Sequence, residues 1–144
     1  MRKFVALVLG LAFVAVGAAS PDRPTASYFE AGKVDAAFAK GMPLLENGQY
    51  KIHASRRDKP GMAEVHVRDT DIIHVLEGSA LFVVGGKVVE GKPTATDEIR
   101  GATIQDGTEY RLAKGDVFVV PNGTPHWFKE VNGTLLYYVV KVTS

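Results

Sequence analysis

Apolar and polar positions change their rhythm twice along the chain. Arg2 and Lys3 precede Phe4–Ala19, sixteen residues without a charge, and the run closes on Val16-Gly17-Ala18-Ala19-Ser20. A basic start, an apolar stretch and a small neutral end form the layout of a secretory signal peptide, with cleavage expected after Ala18 or Ala19. Crossing a bilayer takes roughly 20 apolar residues. Gly10 and Gly17 dilute this run, so no stable membrane anchor is expected. Residues 25–40 then carry a helical pattern, with Val34, Ala37 and Phe38 spaced i, i+3, i+4 among Ala-rich neighbours. Gly41 and Pro43 stop it. Residues 20–48 therefore read as a helical arm, packed on a sheet edge if it has no chemistry of its own.

From Gln49 onward the period shortens towards two. Strands are expected at Tyr50–Ser55, Ala63–Val67, Asp71–Glu77, Ala80–Val84, Lys87–Val89, Tyr110–Leu112, Asp116–Val120, Trp127–Val131 and Leu135–Val142. Asp58-Lys59-Pro60-Gly61 marks a turn. Gly85-Gly86 and Asn132-Gly133 sit between strand patterns and predict two tight hairpins. The polar segment from Pro93 to Gly107 fits no element. Eight or nine short, closely spaced strands predict an all-β sandwich or barrel over residues 49–144.

Composition narrows the chemistry. A length of 144 residues allows one domain. The absence of Cys excludes disulfides, thiolate metal sites and a cysteine nucleophile. A formal charge of +1 gives no basic surface for nucleic acid. The leader points to a protein working outside the cytoplasm, periplasmic or secreted.

Only four histidines exist, at 53, 66, 74 and 126. Glu64 and His66 are two apart and share one face of a strand. Asp71 follows across a turn at Arg68-Asp69-Thr70, so two antiparallel strands would point all three into one space. A second cluster, Val117 to Val120 followed by Pro121-Asn122-Gly123-Thr124-Pro125, delivers His126 at the end of an apolar strand. Imidazoles with carboxylates suit a divalent Fe, Mn, Zn or Ni ion. The bland alternative is a hydrogen-bonded His66 with two solvated acids. Asn122 and Asn132 each begin an Asn-Gly-Thr sequon, and turn chemistry accounts for both better than glycosylation does.

The spacing of both clusters resembles the cupin superfamily. Its first motif is G-x5-H-x-H-x(3,4)-E-x6-G, and Glu64-x-His66-x4-Asp71-x6-Gly78 follows it from the first ligand position. Its second is G-x5-P-x-G-x2-H-x3-N, matched by Gly115-x5-Pro121-x-Gly123-x2-His126-x3-Glu130 except at the last residue. The resemblance covers Tyr50 to Val142. It implies a double-stranded β-helix (jelly-roll) barrel preceded by a short helix, often dimeric, with one divalent metal ion per chain held by Glu64, His66, Asp71 and His126. The departures are Glu64 where the family has His, Asp71 where it has Glu, and Glu130 where it has Asn. The motif's opening Gly would fall at Asp58, and the nearest glycine is Gly61. Two imidazoles and two carboxylates remain a borderline set that weakens any case for copper.

Two assignments of Glu64 stay open: a ligand, or a spectator beside a His66, Asp71 and His126 set. Glu130 shares strand parity with His126 and Phe128, which makes it a candidate general base. His74 falls on the opposite face, and the facing of His53 is undetermined. Arg56, Arg57, Arg68 and Arg100 are candidates for holding an anionic substrate, though an ordinary charged surface explains them equally. Phe82, Phe118, Phe128 and Trp127 read as core or dimer interface. The long stretch Glu90 to Glu109 reads as a lid or as decoration. The expected function is that of an extracytoplasmic metal-dependent enzyme on a small oxygenated molecule, of isomerase, lyase or dioxygenase type. A non-catalytic module for a small-molecule ligand and a metal-free barrel are the alternatives.

Overall fold

The computed structural model describes residues 25–144, so the leader expected over residues 1–19 lies outside the described residues. The helical pattern condenses to α1 (Ala31–Lys40), which Gly41 ends in a left-handed conformation, its N–H bonding back to the carbonyls of Ala37 and Phe38. Ala37 and Phe38 are the buried positions. They pack on Ala54 with Leu76, Leu136 and Tyr138 around them, and the Phe38 and Tyr138 rings meet edge to face at 4.9 Å. No helix among the described residues is long and apolar enough to cross a membrane.

The remainder is β structure. The strands are β1 (Met42–Glu46), β2 (Tyr50–Arg57), β3 (Ala63–His66), β4 (Asp69–Val84), β5 (Lys87–Val89), β6 (Lys92–Ala95), β7 (Glu98–Gly101), β8 (Thr103–Gln105), β9 (Thr108–Ala113), β10 (Val117–Val120) and β11 (His126–Thr143). Nine of them form one curled sheet along β1-β2-β11-β3-β7-β6, with β4 on β11, β9 and β10, and β5 and β8 form a separate pair. The sheet curls into a half-barrel, in agreement with the all-β barrel expected, and the short helix packs on its outside. The helical arm does not end with α1. Its last residues form β1, an edge strand on β2.

Both predicted hairpins are absent. The Asp71–Glu77 and Ala80–Val84 patterns are one strand, β4, that passes through Gly78. Trp127–Val131 and Leu135–Val142 are likewise one strand, β11, that passes through Asn132-Gly133. These two long strands pair over their whole length, with register breaks at Phe128/Glu130, Asn132/Leu136 and Leu136/Tyr137. Gly78 (φ 77°) and Gly133 (φ 70°) bend the pair rather than reverse it. After Gly85-Gly86, β5 leaves β4 to pair with β8, and β9 takes the place beside β4.

The core lies inside the curl. Ile73, Val75, Phe82, Val120, Phe128, Leu135, Tyr137 and Val139 belong to one buried cluster. The polar segment that fits no element supplies β6, β7 and β8. In it, β7 pairs with β3 and sets Arg100 opposite Glu64 and Glu98 opposite His66.

Candidate metal centre

Alternation on short strands brings the site together. Glu64 and His66 project from the same face of β3, and His126 stands opposite Glu64 at the start of β11. The turn before His126 is locked onto β3: Gly123, at φ 75°, donates its N–H to the carbonyl of His66 at 2.8 Å. Asp71 comes from β4, which pairs with β9, β10 and β11 and not with β3. The expected antiparallel pair of β3 and β4 is therefore not formed, and the curl of the sheet brings Asp71 to the other residues instead.

These side chains line a cavity of about 230 Å³ with His53, Arg57, Glu98, Arg100 and Lys141 on its polar walls and Ile73, Phe128, Tyr137 and Val139 on its apolar ones. One potential ligand atom each from Glu64, His66 and His126 lie within 4.8 Å of one another. His66 Nε2 is 3.5 Å and His126 Nε2 3.8 Å from Asp71 Oδ2. The two imidazole rings are 5.1 Å apart. His126 Nδ1 lies 3.1 Å from the Thr124 carbonyl oxygen. A carbonyl only accepts, so Nδ1 carries a proton towards Thr124 and Nε2 is the ring nitrogen turned to the cavity. Burial pushes the His66 pKa down and Lys141 adds to the shift, while Asp71 opposes it. The neutral, ligating form of His66 is favoured.

Each carboxylate already has cationic partners. Glu64 accepts from Arg57 Nη2 at 3.2 Å and faces Arg100 Nη2 at 3.4 Å. Asp71 holds Lys141 Nζ at 2.7 Å on both oxygens, because Lys141 is its cross-strand neighbour on β11. Two imidazoles and one carboxylate form a set that fits a divalent ion. Glu64 belongs to that trio. Asp71 borders it but is tied to Lys141.

Glu130 is not brought to the site. It is exposed, opposite Leu81. The register break after Phe128 adds one residue to β11, so parity counted from His126 fails there. His74 is exposed on the outer face, as parity predicts. His53 does reach the cavity wall, its Nε2 2.7 Å from Glu46 Oε1 on β1. Sequence reasoning did not single out Lys141 or Glu98. Lys141 alternates with Tyr137 and Val139, and that period-two pattern is the signal that marks it as inward-facing. Nothing local marks Glu98. Asn122 serves the turn, its side-chain amide donating to the Val67 carbonyl.

The cupin family model matches residues 16–144. A comparison with curated proteins found no match. Among solved structures, a Bacillus halodurans protein superposes with a TM-score of 0.56 at 14% identity, covering 81% of each chain. A cupin of Methanocaldococcus jannaschii with a double-stranded β-helix fold gives 0.51 at 11%, covering 72% of this chain and 78% of its own. Hydroquinone 1,2-dioxygenase from Sphingomonas sp. TTNP3, with 4-hydroxybenzoate bound, gives 0.51 at 11%, covering 73% and 65%. The chain spans about half, 51%, of a longer match, a cysteine peptidase from Thevetia peruviana latex. Identities this low carry the fold alone, but the family match extends over most of the sequence and agrees with the curled sheet: the chain belongs to the cupin family.

Proposed function

We infer that the cavity is a centre for one divalent ion, Fe, Mn, Zn or Ni, held by Glu64, His66 and His126, and that the protein is an extracytoplasmic enzyme acting on a small oxygenated molecule. The convergence of three donor atoms within 4.8 Å carries the reading. A bound ion would supply Lewis acidity to a carbonyl or enediol oxygen. The chain's own part is then to orient and to exclude water. Thr124 fixes the His126 ring, Arg57 and Arg100 hold Glu64 in place, and Ile73, Phe128 and Val139 form a dry wall. Isomerase, lyase and dioxygenase chemistry all suit such a centre, and one structural neighbour is a dioxygenase. The apolar N-terminal run supports export, to the periplasm or beyond the cell. A homodimer is supported by the uncovered outer face of the sheet.

Titration with Mn(II), Fe(II), Zn(II) and Ni(II) tests the centre. About one ion per chain is expected for the wild type. His66→Ala and His126→Ala should abolish binding, Glu64→Gln should weaken it about tenfold or more, and His74→Ala should leave it unchanged. Undiminished binding in His66→Ala would overturn the assignment. One observation favours a second reading, a metal-free ligand-binding barrel: both carboxylates are already neutralised by protein cations. That reading predicts no ion uptake by the wild type.

A further inference from the structure

The charges around the cavity have a consequence for what enters it. Arg57, Arg100 and Lys141 face Glu64, Asp71 and Glu98, three cations against three anions. The lining is balanced as it stands. A divalent ion joining it would leave an excess of two positive charges in a partly buried space, which is costly unless an anion accompanies the ion.

The two arginines are arranged to receive that anion. Arg57 is fixed on three sides. Its Nε donates to the Tyr137 hydroxyl at 2.9 Å, its Nη2 donates to Glu64, and its guanidinium lies over the Phe128 ring at 4.6 Å. Its Nη1 group lies against Gly61, where any side chain would collide with it. Gly61 is itself pinned, its N–H donating to Phe128 and its carbonyl accepting from the Trp127 indole at 2.8 Å. Arg100 reaches the same carboxylate from β7, with its Nε on Glu98. A guanidinium has five N–H donors, and the bonds described for Arg57 occupy only Nε and Nη2. Both guanidinium groups line the cavity, and the N–H donors they retain suit a carboxylate, which a planar guanidinium can take in bidentate fashion.

We propose that Arg57 and Arg100 are the carboxylate-binding end of the cavity, and that its ligand is a small organic acid whose apolar body lies on Ile73, Phe128 and Val139. The volume agrees. Pockets for drug-sized ligands run from about 300 Å³ upward, so about 230 Å³ admits a single ring or a short chain. The proposal deepens the metal-centre reading by naming the substrate class. It rests on that reading for the excess charge, while the two cavity-lining arginines stand without it.

Calorimetric titration with benzoate and hexanoate against their neutral amides, benzamide and hexanamide, tests it on metal-free and on Mn(II)-supplied protein. Each carboxylate should bind about tenfold or more tighter than its amide, and the ratio should rise with Mn(II). Arg100→Gln, at a half-exposed position, should cut the ratio about tenfold. Arg57→Lys, which keeps the charge and loses the planar guanidinium, should reduce it as well. Equal binding of acid and amide, no binding of either carboxylate, or an unchanged ratio in Arg100→Gln each overturns the proposal. Failure of Mn(II) to bind, with the acid preference intact, would remove the metal reading and leave this one standing. Mn(II) binding without acid preference would do the reverse.

Discussion

Lys141 stands across from Asp71 and places its ammonium 2.7 Å from both carboxylate oxygens, with both side chains largely buried. That single contact decides which residues remain to bind an ion. Removing one partner of a buried pair costs about 3–5 kcal/mol, because the other charge is left without compensation. Lys141→Met should therefore lower the stability of the metal-free protein by that amount, read from denaturant unfolding. It should also release Asp71, 3.5 and 3.8 Å from the two imidazole Nε2 atoms, to act as a fourth ligand. Metal affinity in Lys141→Met should rise by about tenfold or more, and an unchanged affinity would show that Asp71 does not join the set. At this scale, alternation in the sequence was enough to place Glu64 and His66 on one face and His74 on the other. It was not enough for Glu130, because parity survives only until the first bulge. Nor was it enough to pair Asp71 with Lys141, since partners 70 positions apart are joined by register and not by spacing.

Among the elements, glycine proved the least legible signal. Asn132-Gly133 and Gly85-Gly86 carry the usual residues of a hairpin turn. Yet one lies inside β11 and the other leads away from β4. Local chemistry supplies positive φ at these sites, and whether the chain then reverses or bends depends on the strand alongside. β4 and β11 run together through the bend, so neither can turn back. At Gly78 the two strands leave no room for a side chain: a Cβ there would strike the backbone oxygen of Thr134, and its φ is 77°. The left-handed conformation alone costs a side chain about 1–2 kcal/mol. The clash with fixed backbone adds to it. Gly78→Ala should destabilise by about 2 kcal/mol or more in chemical denaturation. Gly115→Ala, at φ 93° with open space around it, should cost only the conformational part. Equal losses at the two sites would mean that the close approach at Gly78 is relieved elsewhere. The unassigned polar segment is the other element-scale lesson. Neither lid nor decoration, its β7 extends the sheet and forms a wall of the cavity with Glu98 and Arg100. Such strands escape hydrophobic periodicity because they are only three or four residues long, too short for an alternation to stand out, and carry few apolar residues.

For the molecule as a whole, the outer face of the sheet is what remains unaccounted for by a single chain. α1 covers Ala54, Leu76, Leu136 and Tyr138. Beside that covered area, the registers align Val119, Ile72, Val140, Ile52 and Leu45 in one row across five adjacent strands. At about 4.8 Å per strand the row is about 19 Å wide. Tyr50, Val117 and Val142 flank it, and Val117 and Val119 are more than half exposed. Neither this row nor its neighbour, Val117, His74 and Tyr138, contains a carboxylate, lysine or arginine. A face without like charges meets its own copy without repulsion, and a two-fold axis makes the same patch complementary to itself. Contiguous apolar patches of this kind are uncommon on monomers. A stable interface covers roughly 800 Å² per partner, which the row and its flanks would reach only with a rim of surrounding residues. A second copy of this chain is therefore the expected occupant, with both cavities on the far side of the sheets and open to solvent. Light scattering on the purified protein should give a dimer mass. Val119→Lys, at an exposed position outside the core, should give a monomer of native circular dichroism and unchanged metal uptake. A wild type that is monomeric at high concentration, or a Val119→Lys variant that remains dimeric, would show that this face is not the interface.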